Sequence, residues 1–123
     1  MKNCMLPILL AAGAIASPAM AETCNTIDAR YTVARTLRLA AEQRPVNVRF
    51  QTTAEGVRLP AYLRTKYPDE MTIILQHEFK QLNVKDDRFE VVVWFKGYPE
   101  RLTVPFHAIK AFWDNGELKC SDN

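Results

Sequence analysis

Beyond residue 45 no stretch of this sequence keeps one periodicity for long, because a proline, a glycine or a pair of acidic residues ends each apolar run early. Such pieces can build short strands and tight connections, but not long helices. Val46-Asn47-Val48-Arg49-Phe50-Gln51 alternates strictly, which predicts a strand with Val46, Val48 and Phe50 inward. Ala54-Glu55-Gly56 turns the chain. Residues 59–67 read as a short helix, with Pro60 in its first turn, Pro68 closing it, and Leu59, Leu63 and Tyr67 on one side. Residues 71–76 return to strand. Asp86-Asp87 turns into residues 89–96, the most β-rich run of the chain, and Gly97-Tyr98-Pro99-Glu100 turns it back. A strand at 101–104, a corner at Pro105-Phe106, a strand at 109–114 and a hairpin turn at Asn115-Gly116 complete the series. Ahead of it, residues 26–43 carry a helical pattern, with Ile27, Tyr31, Ala34, Leu37 and Ala41 at three- and four-residue steps. Thr26 can cap that helix and Pro45 ends it. One helix followed by five or more short strands predicts an α+β, mainly β domain: a small antiparallel, barrel-like sheet with an N-terminal helical cap.

A chain of 123 residues holds one such domain. Its sixteen basic and fourteen acidic residues leave a formal charge of +2, without the basic excess of a nucleic-acid binder. Part of the 48% apolar content is concentrated at the start. There Lys2 precedes an apolar run over residues 5–16, and Ser17-Pro18-Ala19-Met20-Ala21 offers a small-x-small cleavage pattern. About twelve apolar residues are too few to cross a bilayer, which needs about twenty. Residues 1–21 are therefore read as a secretory signal peptide and residues 22–123 as the mature domain, periplasmic or secreted, with no membrane attachment after cleavage. If the segment is not used, the protein stays cytoplasmic. The mature chain would hold Cys24 and Cys120 alone, and an even count in an exported chain suggests one disulfide; two unrelated thiols are the alternative.

Catalytic chemistry is not indicated. His77-Glu78-Phe79-Lys80-Gln81 resembles the start of a His-Glu-x-x-His zinc motif, but Gln81 is not a usual zinc ligand. Asp69-Glu70 follows a proline and Asp86-Asp87 sits in a turn, so loop solvation is the simpler reading than an acid and base pair. No Gly-rich phosphate loop or Gly-x-Ser-x-Gly elbow occurs, so no enzyme, cofactor or metal is expected. A surface is left to consider. If Phe89, Val91, Val93 and Phe95 face the core, then Glu90, Val92, Trp94 and Lys96 face outward. Either the N-terminal helix covers an outward Val-Trp pair, or the face is a groove for an extended peptide, with Trp94 supplying contact area and Lys96 attracting a carboxylate.

Gly56-Val57-Arg58-Leu59, Tyr67-Pro68-Asp69-Glu70-Met71-Thr72-Ile73-Ile74-Leu75-Gln76-His77-Glu78-Phe79, Asp86-Asp87-Arg88-Phe89-Glu90-Val91 and Pro99-Glu100-Arg101-Leu102-Thr103-Val104-Pro105-Phe106, followed by Ala108-Ile109-Lys110, carry a family resemblance. Over about half its length the chain resembles the alphaproteobacterial form of stringent starvation protein B. The resemblance implies a dimeric, Sm-like β-barrel with an N-terminal helix. It implies an adaptor that binds degradation tags, such as the peptide added to stalled ribosomal products, and delivers them to the ClpX unfoldase of the ClpXP protease. The implied groove runs along Leu75, Gln76 and His77 and the strand from Phe89 to Phe95. That family places small or polar residues where this chain has Val92, Trp94 and Lys96. The chain stops at Asn123, without the tail and docking segment by which such an adaptor tethers itself to ClpX. The expectation is thus an exported binder of unstructured or tagged polypeptides, with Leu75, Gln76, His77, Phe89, Val92, Trp94 and Lys96 as candidate contacts. Its partners would be such polypeptides, a second copy of the chain, and ClpX only in the cytoplasm. The alternative is a periplasmic structural or stress protein that uses the same barrel as an oligomerisation module. Intact mass of the native protein separates these locations. Export predicts a periplasmic species that starts at Glu22 and is about two daltons lighter before reduction than after, as one disulfide requires; a full-length cytoplasmic species with free thiols would overturn it.

Overall fold

A computed structural model describes residues 22–41 and 43–122, so the expected signal segment, residues 1–21, lies outside the described residues. The chain runs α1 (Ile27–Ala40), β1 (Val46–Gln51), α2 (Ala61–Lys66), β2 (Glu70–Leu75), β3 (Phe79–Val84), β4 (Arg88–Phe95), β5 (Tyr98–Pro105), a 3-10 turn (Phe106–Ala108), β6 (Ile109–Asp114) and β7 (Glu117–Ser121). It is the expected small, mainly β α+β fold with an N-terminal helix, and its strands form two antiparallel sheets. One is four-stranded in the order β2-β1-β6-β7, the other three-stranded in the order β3-β4-β5.

Thr26 caps α1, its hydroxyl accepting from the Ala29 N–H at 3.0 Å, with Asp28 in the first turn and Arg38 in the last, where each complements the helix dipole. The buried face differs from the expected stripe. Leu37 and Ala41 of that stripe are buried and Ala34 packs partly against the core, but Ile27 is 84% exposed and Tyr31 68% exposed, and Ala29 and Val33 are buried in their place. Both sets have helical spacing, so the choice between them is one of rotation about the helix axis. The small side chains Ala29, Val33 and Ala41 let the helix lie close to the sheets, which Ile27 and Tyr31 would hold away. A disulfide between Cys24 and Cys120 anchors the helix start to β7, with Cα atoms 5.0 Å apart.

In β1, Val46, Val48 and Phe50 point inward and are fully buried, as the alternation predicts. In β2, Met71, Ile73 and Leu75 do the same from the neighbouring position. Phe89, Val91, Leu102 and Val104 close the core from the three-stranded sheet, and Phe112 and Ile109 from β6. In α2, Leu63 is buried, and Leu59 and Tyr67 pack partly against the core beside it. Arg64 holds this short helix in place by donating to the carbonyls of Thr52 at 2.8 Å and Val57 at 3.3 Å.

Two segments differ from expectation. Residues 98–100 belong to β5, and the turn is the two-residue loop Lys96-Gly97, since Phe95 already pairs with Tyr98. Residues 79–84 form a strand, β3, that the alternation hides: its register shifts between Lys80 and Asn83, and Gln81 sits at φ 54°. Asn115-Gly116 turns β6 into β7 as expected, and β7 closes against the disulfide.

Arg44 clamps the end of β6 through a bidentate pair with Asp114, at 2.6 and 3.0 Å. The hydrogen bonds from Arg44 outweigh partial burial and hold the Asp114 carboxyl below its usual range. The folded protein therefore binds this proton less readily than the unfolded chain, so the contribution is present at neutral pH and is lost as the pH falls through the carboxylate range. Asp114→Asn is expected to cost about 1 kcal/mol near neutral pH. In urea unfolding that difference should shrink as the pH falls below the ordinary aspartate value of about 3.9; a pH-independent difference would assign the loss to something other than the pair.

Candidate functional site

The predicted contacts divide by where the strands place them. Leu75 ends β2 facing the core and Phe89 faces the core from the start of β4; both are fully buried and offer no surface to a ligand. Gln76 and His77 lie in the exposed connection from β2 to β3. Trp94, near the end of β4, is 37% exposed. The structure brings His77 and Trp94 together: with Glu78, Phe79 and Lys80 they line an open cleft of about 400 Å³. A shallower hollow of about 270 Å³ between Ile74 and Gln76, His77 and Glu78 continues on the other side of His77. Lys96 is not part of this cleft, because it occupies the β4–β5 turn and lines a different space beside Phe95.

Val92 alternates with the core-facing Val91 and Val93, yet it is buried as well. Its cross-strand partners are Lys80 on β3 and Arg101 on β5. Arg101 donates to the Gln81 Oε1 at 2.5 Å, and this bond joins the strands on either side of Val92. Further along the same face, the Lys80 ammonium stands 5.5 Å from the centre of the Trp94 ring. A contact of this kind contributes about 0.5–1 kcal/mol at an exposed site, enough to hold the indole in place without covering its outer surface.

Two features of the cleft were not readable from the sequence. Phe79 and Lys80 line it because β3 exists, and β3 is concealed by its bulge. In addition, β3 pairs with β4 alone among the named strands, so its other edge carries backbone groups outside the ladder. A second space of about 510 Å³ lies along β3, between Leu37, Arg38, Leu39 and Gln43 of the helical end and Gln81, Leu82 and Val84. An open strand edge beside an aromatic cleft is the arrangement by which extended peptides add to sheets. Among the described residues there is no group of three or more His, Cys, Asp or Glu placed to hold a metal ion. His77 and Gln81 lie in a loop and a strand, not on one helix face as a zinc-binding helix would require.

Comparison with known proteins adds one finding. The family model described as Stringent starvation protein B matches residues 29–117, which span α1 to the start of β7. No curated protein matches the chain.

The two ends of β4 should respond differently to truncation. Trp94→Ala is expected to lower the unfolding free energy by no more than about 1 kcal/mol. Phe89→Ala should cost about 3–5 kcal/mol through the cavity it leaves. Equal losses in chemical denaturation would mean that the Trp94 face is packed and the cleft closed.

Proposed function

Because the chain belongs to the stringent starvation protein B family, a family of adaptors and not a known family of enzymes, we propose that it is a non-enzymatic binding domain for unstructured, tag-like polypeptides. The observation that carries this reading is the cleft at His77, Phe79, Lys80 and Trp94 beside the open edge of β3. An extended chain would gain backbone hydrogen bonds from the strand edge and burial against the indole, with Gln76 and His77 contributing polar contacts at the β2–β3 connection. Val92 acts from below, as the packed floor that positions Lys80 and Arg101.

The domain works outside the cytoplasm in this reading. The Cys24–Cys120 bridge supports it, because such bonds persist in oxidising compartments and are reduced in the cytosol. The signal-like residues 1–21 point the same way. An exported domain does not meet ClpX, so its role there is capture of polypeptides without delivery to ClpXP. Delivery belongs to a cytoplasmic form only.

Fluorescence anisotropy with labelled unstructured peptides, including tag-like ones, should give saturable binding in the micromolar range. His77→Ala with Trp94→Ala should weaken it about tenfold or more, as loss of a contact centre does. Absence of saturable binding across the panel would overturn the proposal, and stimulated ClpXP degradation of tagged substrates by the disulfide-bonded form would overturn the location.

A further inference from the structure

Trp94 and Phe95 are consecutive in β4, so their side chains leave on opposite faces and serve different spaces. Trp94 lines the cleft described above. Phe95 lines a narrower one of about 100 Å³, walled by Tyr62, Leu63 and Tyr67 and rimmed by Lys66 and Lys96. Its interior is aromatic and aliphatic. For scale, a dry apolar cavity of about 150 Å³ holds a benzene ring, so this one suits a short aliphatic side chain.

The rim carries the chemical information. Lys66 comes from the last turn of α2 and Lys96 from the β4–β5 turn, so two elements distant in sequence each bring a lysine to one cleft. Among the described residues neither forms an ion pair. The Lys66 ammonium stands 5.7 Å from the centre of the Tyr67 ring, itself part of the wall. The acidic group nearby in the sheet, Glu100, is engaged by the Tyr62 hydroxyl at 2.5 Å. That hydrogen bond, with burial and the carboxylate charge, pushes the tyrosine up to about 12, so the hydroxyl keeps its proton and goes on donating to Glu100 at any working pH.

Lys96 is also the wrong residue for its backbone. It sits at φ 52° followed by Gly97 at φ 85°, the left-handed pair of a two-residue hairpin. The second hairpin of the chain has the same backbone, φ 53° and 85°, and fills it with Asn115-Gly116, the sequence that such turns prefer. A lysine there is held against local preference, and strain of this sort is a pointer to function.

We propose that this cleft takes the C-terminal end of a bound polypeptide, its last short apolar side chain entering between Tyr62, Tyr67 and Phe95 and its α-carboxylate lying between the Lys66 and Lys96 ammonium groups. The inference rests on the polypeptide-binding reading and adds to it a preference for chain ends. A carboxylate answers the paired charge, and a short apolar residue answers the volume.

Two unstructured peptides ending in Leu-Ala, identical except for a free carboxylate or an amide at the C-terminus, test it by anisotropy on the full mature domain. The free acid should bind about tenfold tighter, a difference typical of charge-assisted contacts. Lys66→Gln should remove most of that preference. Lys96→Asn is the decisive variant: it should raise the melting temperature by relieving the turn, yet abolish the preference for the acid. Equal affinity of acid and amide at measurable strength would overturn the inference and leave polypeptide binding standing; failure of both peptides to bind would overturn the two together. Binding of N-acetylalanine as tight as that of the free-acid peptide would mark a site for small carboxylates and overturn the commitment to a chain end.

Discussion

Cys24 and Cys120, 96 positions apart in sequence, join the first described turn to the last strand, and the rest of the molecule is arranged inside the loop they close. In the chain-entropy model a closure of that length stabilises by about 4–5 kcal/mol. The net stability of a small domain is about 5–15 kcal/mol, so one bond of this size is a large share of it. Both cysteines are buried, and hydrogen bonds gather round them: Ser121 N–H to the Glu22 carbonyl at 2.9 Å, and Cys24 N–H to Asp122 Oδ1 at 2.7 Å. The start of α1 is thereby fixed on β7. Its small-residue face is then set against β6 and β7 of one sheet and β3 of the other.

That placement decides which surfaces remain open. The helix approaches β3 near its C-terminal end, where Arg38 donates to the Val84 carbonyl at 3.4 Å. It leaves the opposite end of β3, with Phe79 and Lys80, beside Trp94 and the His77 connection. The outward face of β4 is accordingly divided. Val92 is sealed between strands whose Lys80 and Arg101 flank it, while Trp94 stays accessible under a cation–π contact. A binding surface needs both conditions, a rigid floor and an exposed aromatic group above it.

Much of the strand framework is legible in the sequence because alternation and turn chemistry act locally. Val46, Val48 and Phe50 follow the period of two, and Asn115-Gly116 is a dipeptide that suits a left-handed two-residue turn without strain. Where the local signal is ambiguous, the reading departs from the structure. Leu37 and Ala41 are buried as their spacing predicts, but at the start of α1 two faces have helical spacing, and only the helix's close approach to the sheets selects Ala29 and Val33 over Ile27 and Tyr31. A bulge at Gln81 breaks the alternation of β3, and Lys96-Gly97 is a turn although its first residue does not favour one. The candidate site suffers most from this. The groove implied by the family resemblance includes Leu75 and Phe89, whereas their side chains point into the core, and Phe79 and Lys80 stay hidden in the sequence with the strand that carries them.

The sequence by itself determined the class of fold, the inward residues of β1 and most of β4, the family, and the pair of cysteines able to staple the domain, since each of these follows from residue type, spacing or motif within the chain. Only the tertiary structure decided which face of α1 is buried, that the outward Val92 is covered and Trp94 is not, that His77 meets Trp94, and that Lys66 and Lys96 share one cleft. Those outcomes depend on contacts between segments far apart in sequence, where register, bulges and helix rotation choose among arrangements that are locally equivalent.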